Sequence, residues 1–152
     1  MGKKKIAKQT EEEALKDREK VETAMAKATG TEKSASRKIE SGRIYISASY
    51  NNILLSATDG SGNTIAWASS GSLGFSGPKK ATPFAASKIV SALAEKLKKI
   101  GLVNISVIIK GVGIGRDSAI RSLANNGFNI LSIKDVTPIP HNGPQPPKPR
   151  KP

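Results

Sequence analysis

From residue 43 the chain alternates with a period of two. Ile44, Ile46, Ala48 and Tyr50 fall on one parity, and Arg43, Tyr45, Ser47 and Ser49 on the other. That is the pattern of a strand with one buried face. Asn51-Asn52 offers a turn, and residues 53–58 predict a second strand. Asp59-Gly60-Ser61-Gly62-Asn63 is a hairpin signal before a third strand over 64–69. A glycine-rich loop over 71–81 then gives way to Thr82-Pro83, an N-cap followed by proline at the first helical position. Phe84, Ala85, Ile89, Ala92, Leu93, Leu97 and Ile100 recur at three- and four-residue spacing, so one helical face is apolar. Lys96, Lys98 and Lys99 suit the negative end of the helix dipole, and Gly101 is the stop. A near-continuous apolar strand over 105–109, a glycine-rich turn, a second helix over 117–126 and a last strand over 128–136 complete the body.

Three strands joined by short turns make an antiparallel meander, and the two strand–helix–strand units that follow imply parallel neighbours. The predicted fold class is α/β: a layered domain with a mixed sheet of about five strands covered by helices, plus extended tails. The body spans 41–137. Residues 1–40 read as a charged extension. Its 11–28 stretch favours helix by propensity and by the Glu12–Lys16 pair, yet offers only Leu15, Val21 and Met25 to bury. A partly helical or disordered extension is expected. Residues 138–152 form a proline-rich basic tail. Seven prolines there each fix φ and remove an N–H, so Lys148, Arg150 and Lys151 ride on a stiff, extended rod.

Charge narrows the partner. The formal net charge is +13, which favours nucleic acid or an acidic membrane surface. The body alone holds eleven bases against four acids (Asp59, Glu95, Asp117 and Asp135), so it is itself a cation. With no Cys and one His, neither a disulfide framework nor a thiolate or histidine-rich metal site is expected. No apolar run approaches the ~20 residues of a membrane span. The charged N-terminus lacks the apolar core of a secretory signal, and its eight acids argue against a transit peptide. The expectation is a soluble intracellular basic protein. A membrane-surface role would need a basic amphipathic helix, whereas the cationic tail is proline-rich.

The candidate chemistry lies mostly in the turn from Gly111 to Arg116. Backbone N–H groups at Gly111, Gly113 and Gly115, with the following helix end, form a natural anion site, to which Arg116 and Arg121 add charge. The turn is neither a dinucleotide fingerprint nor a P-loop. The plainer reading is a tight turn and nothing more. Lys79 and Lys80 are placed to clamp a phosphate backbone, or else form a solvated pair. Trp67 and the other aromatics are expected in the core, being too few to stack single-stranded bases one by one. A metal-dependent nuclease is the alternative function. It would need clustered carboxylates, but Asp59, Asp117 and Asp135 each have a turn or capping explanation. His141 sits among prolines outside the core.

Several motifs together carry a resemblance. They are Ser47-Ala48-Ser49-Tyr50-Asn51-Asn52, Gly74-Phe75-Ser76-Gly77, residues 80–86, residues 110–116 and residues 135–143. From Ser41 onward the chain resembles the bacterial-type S-eleven family of small ribosomal subunit proteins. The resemblance implies a ribonuclease-H-like topology without that enzyme's acid cluster, no catalysis and no cofactor. It implies binding to small-subunit ribosomal RNA on the platform, near the messenger exit and the Shine–Dalgarno helix. The messenger RNA region lies nearby, and platform proteins of the S-six, S-seven, S-eighteen and S-twenty-one families are the implied neighbours. The implied setting is the cytoplasmic ribosome, with a plastid ribosome as the other. The family usually has prolines where Val112 and Ile114 stand, and a Cys and a denser basic run in its tail.

A docking scheme follows. Arg43, Lys79, Lys80, Lys110, Arg116 and Arg121 are expected to contact phosphates and sugar hydroxyls of a folded RNA. The tail then threads a groove, with His141, Asn142, Lys148, Arg150 and Lys151 as its contacts. Asn142-Gly143 is also a flexible pair prone to backbone isomerisation.

Overall fold

Strand β1 (Ser41–Ala48), β2 (Ile53–Asp59) and β3 (Thr64–Ser69) precede helix α1 (Pro83–Ile100). Strand β4 (Asn104–Lys110), helix α2 (Gly115–Asn125) and β5 (Asn129–Asp135) follow. The computed structural model describes residues 39–145, with 19, 21–23 and 147. Of the helix expected over 11–28, residues 19 and 21–23 are helical and the others lie outside the described residues. So do Lys148, Arg150 and Lys151.

The five strands form one mixed sheet in the order β3-β2-β1-β4-β5. The meander is antiparallel, while β1–β4 and β4–β5 pair in parallel. Both crossovers, β3-α1-β4 and β4-α2-β5, move the same way across the sheet. Right-handed crossovers that advance in one direction place their helices on one side. The burial pattern agrees: along β1 every second residue is buried (Gly42, Ile44, Ile46, Ala48) and the residues between are exposed. Among the described residues the structure is thus two-layered, with helices on one face of the sheet and an open face on the other.

The core lies between these layers. Ile44, Ile46, Ile53, Leu55, Ile105, Val107 and Ile109 from the sheet meet Ile89, Val90, Leu93 and Leu97 of α1 and Ala119 and Leu123 of α2. Each large aliphatic side chain buried this way contributes about 1.5–3 kcal/mol. The ends of α1 are those the sequence predicts. Thr82 Oγ1 accepts the Ala85 amide at 3.2 Å. Gly101 closes the helix at φ 89°, its amide bonding the Leu97 and Lys98 carbonyls. The hairpin turn is held by the Asp59 carboxylate, which accepts both the backbone and side-chain N–H groups of Asn63.

Two expectations need correction. Helix α2 begins at Gly115, two residues before Asp117, because Ile114 already has helical angles and caps the helix without a side chain. The aromatics expected in the core lie mostly outside it: Tyr50, beyond the end of β1 at Ala48, and Phe84 are exposed, and Trp67 is 57% exposed on the open face. Its neighbours Ala66 and Ala68 take the helix side instead, opposite Ala57 and Leu55. A small residue fits there because α1 packs closely through its own alanines, Ala85 and Ala86 among them.

Candidate nucleic-acid interface

Both helices begin at the same end of the sheet. A Cβ on Gly115, the first residue of α2, would lie 3.3 Å from Ala86 Cβ near the start of α1. Further along, Ser122 Oγ donates to Ser87 Oγ at 3.0 Å. Two helix N-termini, each carrying a partial positive charge from unpaired amides, therefore face the same way. Around them gather the 3-10 turn Gly77–Ala81 with Lys79 and Lys80, the loop after β4 and the chain leaving β5.

Close packing dictates the loop after β4. Gly111 has φ 100°, and a Cβ there would sit 2.2 Å from Ala48 O. At Gly113 a Cβ would sit 2.3 Å from Ser49 O, and at Gly115 2.1 Å from Ile53 Cδ1. The loop thus lies directly against the end of β1. Gly113 N donates to Ala48 O at 2.9 Å and Gly111 N to Thr137 Oγ1 at 3.1 Å. Two of the amides expected to face an anion are committed within the protein, and in the first turn of α2 the Arg116 amide is also taken, donating to Gly113 O at 3.2 Å. Val112 and Ile114, where the resembled family has prolines, are exposed. The loop's shape is held by the glycines and their bonds.

A closed ring of polar contacts joins this loop to the root of the tail. Arg116 Nη2 lies 2.5 Å from Asp135 Oδ2, and Arg116 Nη1 donates to Gly111 O at 3.2 Å. Asp135 Oδ1 accepts from Thr137 N at 2.9 Å and Thr137 Oγ1 at 2.6 Å. Thr137 Oγ1 in turn accepts from Gly111 N. The Thr137 hydroxyl and amide, then Arg116, stabilise the Asp135 carboxylate and lower its pKa to about 2. The Asn63 side chain lowers that of Asp59 in the hairpin. Both carboxylates are thus occupied by local structural partners. Among the described residues no group of three His, Cys, Asp or Glu side chains could hold a metal ion.

The predicted contact residues divide into groups. Lys110, Gly111, Gly113, Gly115 and Arg116 come together at the loop, with Lys79 and Lys80 on the adjoining turn. Arg121 is exposed on α2, and His141 and Asn142 are exposed in the tail, Asn142 with φ 53°. Arg43 stands apart. It lies five residues before Ala48 on β1, about 17 Å along the strand. Arg116 is half-buried and serves first as a clamp on Asp135. Sequence reasoning missed the open-face aromatics Trp67 and Tyr45, and Lys134 two strands from Tyr45 in the same row. It also missed Lys88, whose Nζ lies 5.7 Å from the centroid of the exposed Phe84 ring. The alternation of Ala66, Trp67 and Ala68 was the available signal.

Comparison with known proteins gives one answer. Residues 42–151 match the family described as ribosomal protein S11. The small ribosomal subunit protein uS11 of Dichelobacter nodosus is 50% identical over 131 residues, covering 84% of this chain and 99% of that protein. Proteins of the same name from Treponema pallidum (strain Nichols) and Alteromonas mediterranea are 49% and 48% identical over 115 and 128 residues. They cover 76% and 84% of this chain, and 91% and 98% of their own lengths. The matched segment starts at the first buried residue of β1 and runs through the Asp135–Thr137 ring into the tail: the chain belongs to the ribosomal protein S11 family.

Proposed function

We propose that this protein is a structural constituent of the small ribosomal subunit that binds ribosomal RNA and catalyses no reaction. The observation that carries the reading is the cationic end of the sheet. Two helix N-termini, Lys79, Lys80 and Lys110 gather there, Arg121 follows further along α2, and of the two acids beside the loop Asp135 is held by Arg116 while Asp117 lies in the first turn of α2. Family membership supports it. The contact is electrostatic docking followed by shape recognition of a folded RNA. Lys79, Lys80, Lys110 and Arg121 meet phosphates, while Arg116 holds the loop and the tail root in position. His141 and Asn142, and then Lys148, Arg150 and Lys151, extend the contact along the tail. Gly111, Gly113 and Gly115 let the loop lie close against β1. The finer placement follows the family: the platform near the messenger exit, beside proteins of the S-six, S-seven, S-eighteen and S-twenty-one families, in cytoplasmic ribosomes.

The test is filter binding of the full chain to purified bacterial small-subunit ribosomal RNA across a salt series. Affinity should fall steeply with salt. Arg121→Ala should reduce the log–log slope by about one, because each neutralised phosphate releases about one counterion. Equal binding at low and high salt would remove the proposal.

A further inference from the structure

Apart from Lys110, which lies where the two meet, the open face of the sheet takes no part in the interface above, yet its composition is unusual for a solvated surface. The register places Trp67, Ser56, Tyr45, Ile108 and Lys134 in one row across all five strands. Neighbouring strands lie about 4.8 Å apart, so Tyr45 and Trp67 stand about 10 Å apart with the small Ser56 between them. Trp67 is 57% and Tyr45 37% exposed. In the adjacent rows Arg43 lies between Thr58 and Ser106, and Lys110 lies beside Ser47.

Charge decides what such a face receives. Its strand positions carry Arg43, Lys110 and Lys134. The four acids of the body lie elsewhere. Asp59 opposes Gly42 and Asp135 opposes Ile109, both on the helix side. Glu95 and Asp117 belong to the helices. An apolar protein partner would have to cover three cations without supplying anions, at a desolvation cost. Unpaired bases present flat faces to rings, and their phosphates supply the missing negative charge. Resting on the ribosomal-RNA-binding reading above, we infer that the open face is a second RNA contact. Trp67 and Tyr45 stack one or two unpaired bases, and Arg43 and Lys134 meet the flanking phosphates. Two rings serve one or two bases, so the contact anchors a bulge or loop and does not read a strand base by base.

Trp67 is the sole tryptophan of the chain, so its fluorescence reports on the site. The full chain is titrated with purified bacterial small-subunit ribosomal RNA. Emission should be quenched as RNA binds. By filter binding, Trp67→Ala should weaken affinity about tenfold. The salt slope should stay unchanged, because the ring carries no charge. Trp67→Phe should restore most of the loss. Tyr45→Ala, which keeps the reporter, should weaken binding and reduce the quench. Wild-type affinity in both alanine variants, or unquenched emission at saturating RNA, overturns the inference and leaves the cationic end standing. A Trp67→Ala defect seen only when other subunit proteins are present assigns the face to a protein and overturns it equally. Failure of the unaltered chain to bind RNA removes the parent reading as well.

Discussion

Replacing Gly113 with alanine separates a loop shaped by packing from one kept open for a ligand. A Cβ at residue 113 would lie 2.3 Å from Ser49 O, 3.0 Å from Ser49 C and 3.1 Å from Ala48 C. All three are backbone atoms at the end of β1, so no side chain can swing aside. Relief requires the loop to back away from the strand, which stretches the 2.9 Å bond from Gly113 N to Ala48 O. Overpacking a tight site costs about 1–3 kcal/mol, and the lost hydrogen bond adds about 1 kcal/mol. The expected destabilisation is therefore roughly 2–4 kcal/mol, or a fall in Tm on the order of 10–25 °C for a body of this size. Gly60→Ala is the control, since nothing lies within 4 Å of a Cβ there, and it should change stability by less than about 0.5 kcal/mol. Urea melts followed by circular dichroism measure both. A Gly113→Ala protein as stable as the Gly60→Ala control, with the same m-value, would refute the packing argument and return Gly113 to a purely ligand-facing role.

Two further outcomes follow from the same structure. The folded pKa of Asp135 lies below its ordinary value of 3.8, at about 2. The unfolded chain therefore binds the extra proton, and stability rises with pH across that interval. The contribution is fully present above about pH 4 and is lost as pH falls toward 2. Asp135→Asn should flatten that part of the acid limb in urea midpoints measured from pH 5 to 2, with Asp59 accounting for some of the remaining slope. Thr82→Ala removes the acceptor of the Ala85 amide and should cost about 1 kcal/mol in a urea melt.

Much of the architecture was legible because it rests on local signals. The alternation over 43–48, the Asp59–Asn63 turn and the Thr82-Pro83 to Gly101 helix are each decided by neighbours a few residues apart, whereas Tyr50 breaks the pattern and is exposed. The order of elements and the five-stranded mixed sheet followed from them. The position of β1 at the centre, between β2 and β4, did not. That placement depends on register between residues some sixty positions apart, such as Ile44 and Val107. The Arg116–Asp135 pair was illegible for the same reason, since nothing local joins two charges nineteen residues apart. Read singly, Arg116 looked like a free phosphate ligand and Asp135 like a strand cap. Trp67 misled because a large apolar ring is usually buried; here the closeness of α1 reserves the inner positions for alanine.

The fastening at Thr137 also bears on mechanics. Strand β5 is an edge strand, and an edge strand pulled from its end ordinarily peels away one hydrogen bond at a time. Here Val136 N holds Ile109 O at 2.8 Å, and Thr137 and Asp135 lock onto the β4–α2 corner. Tension arriving along the C-terminal arm is therefore shared by several bonds at once and delivered into β4, beside the centre of the sheet. An arm gripped at its far end can be tugged without unzipping the body that anchors it.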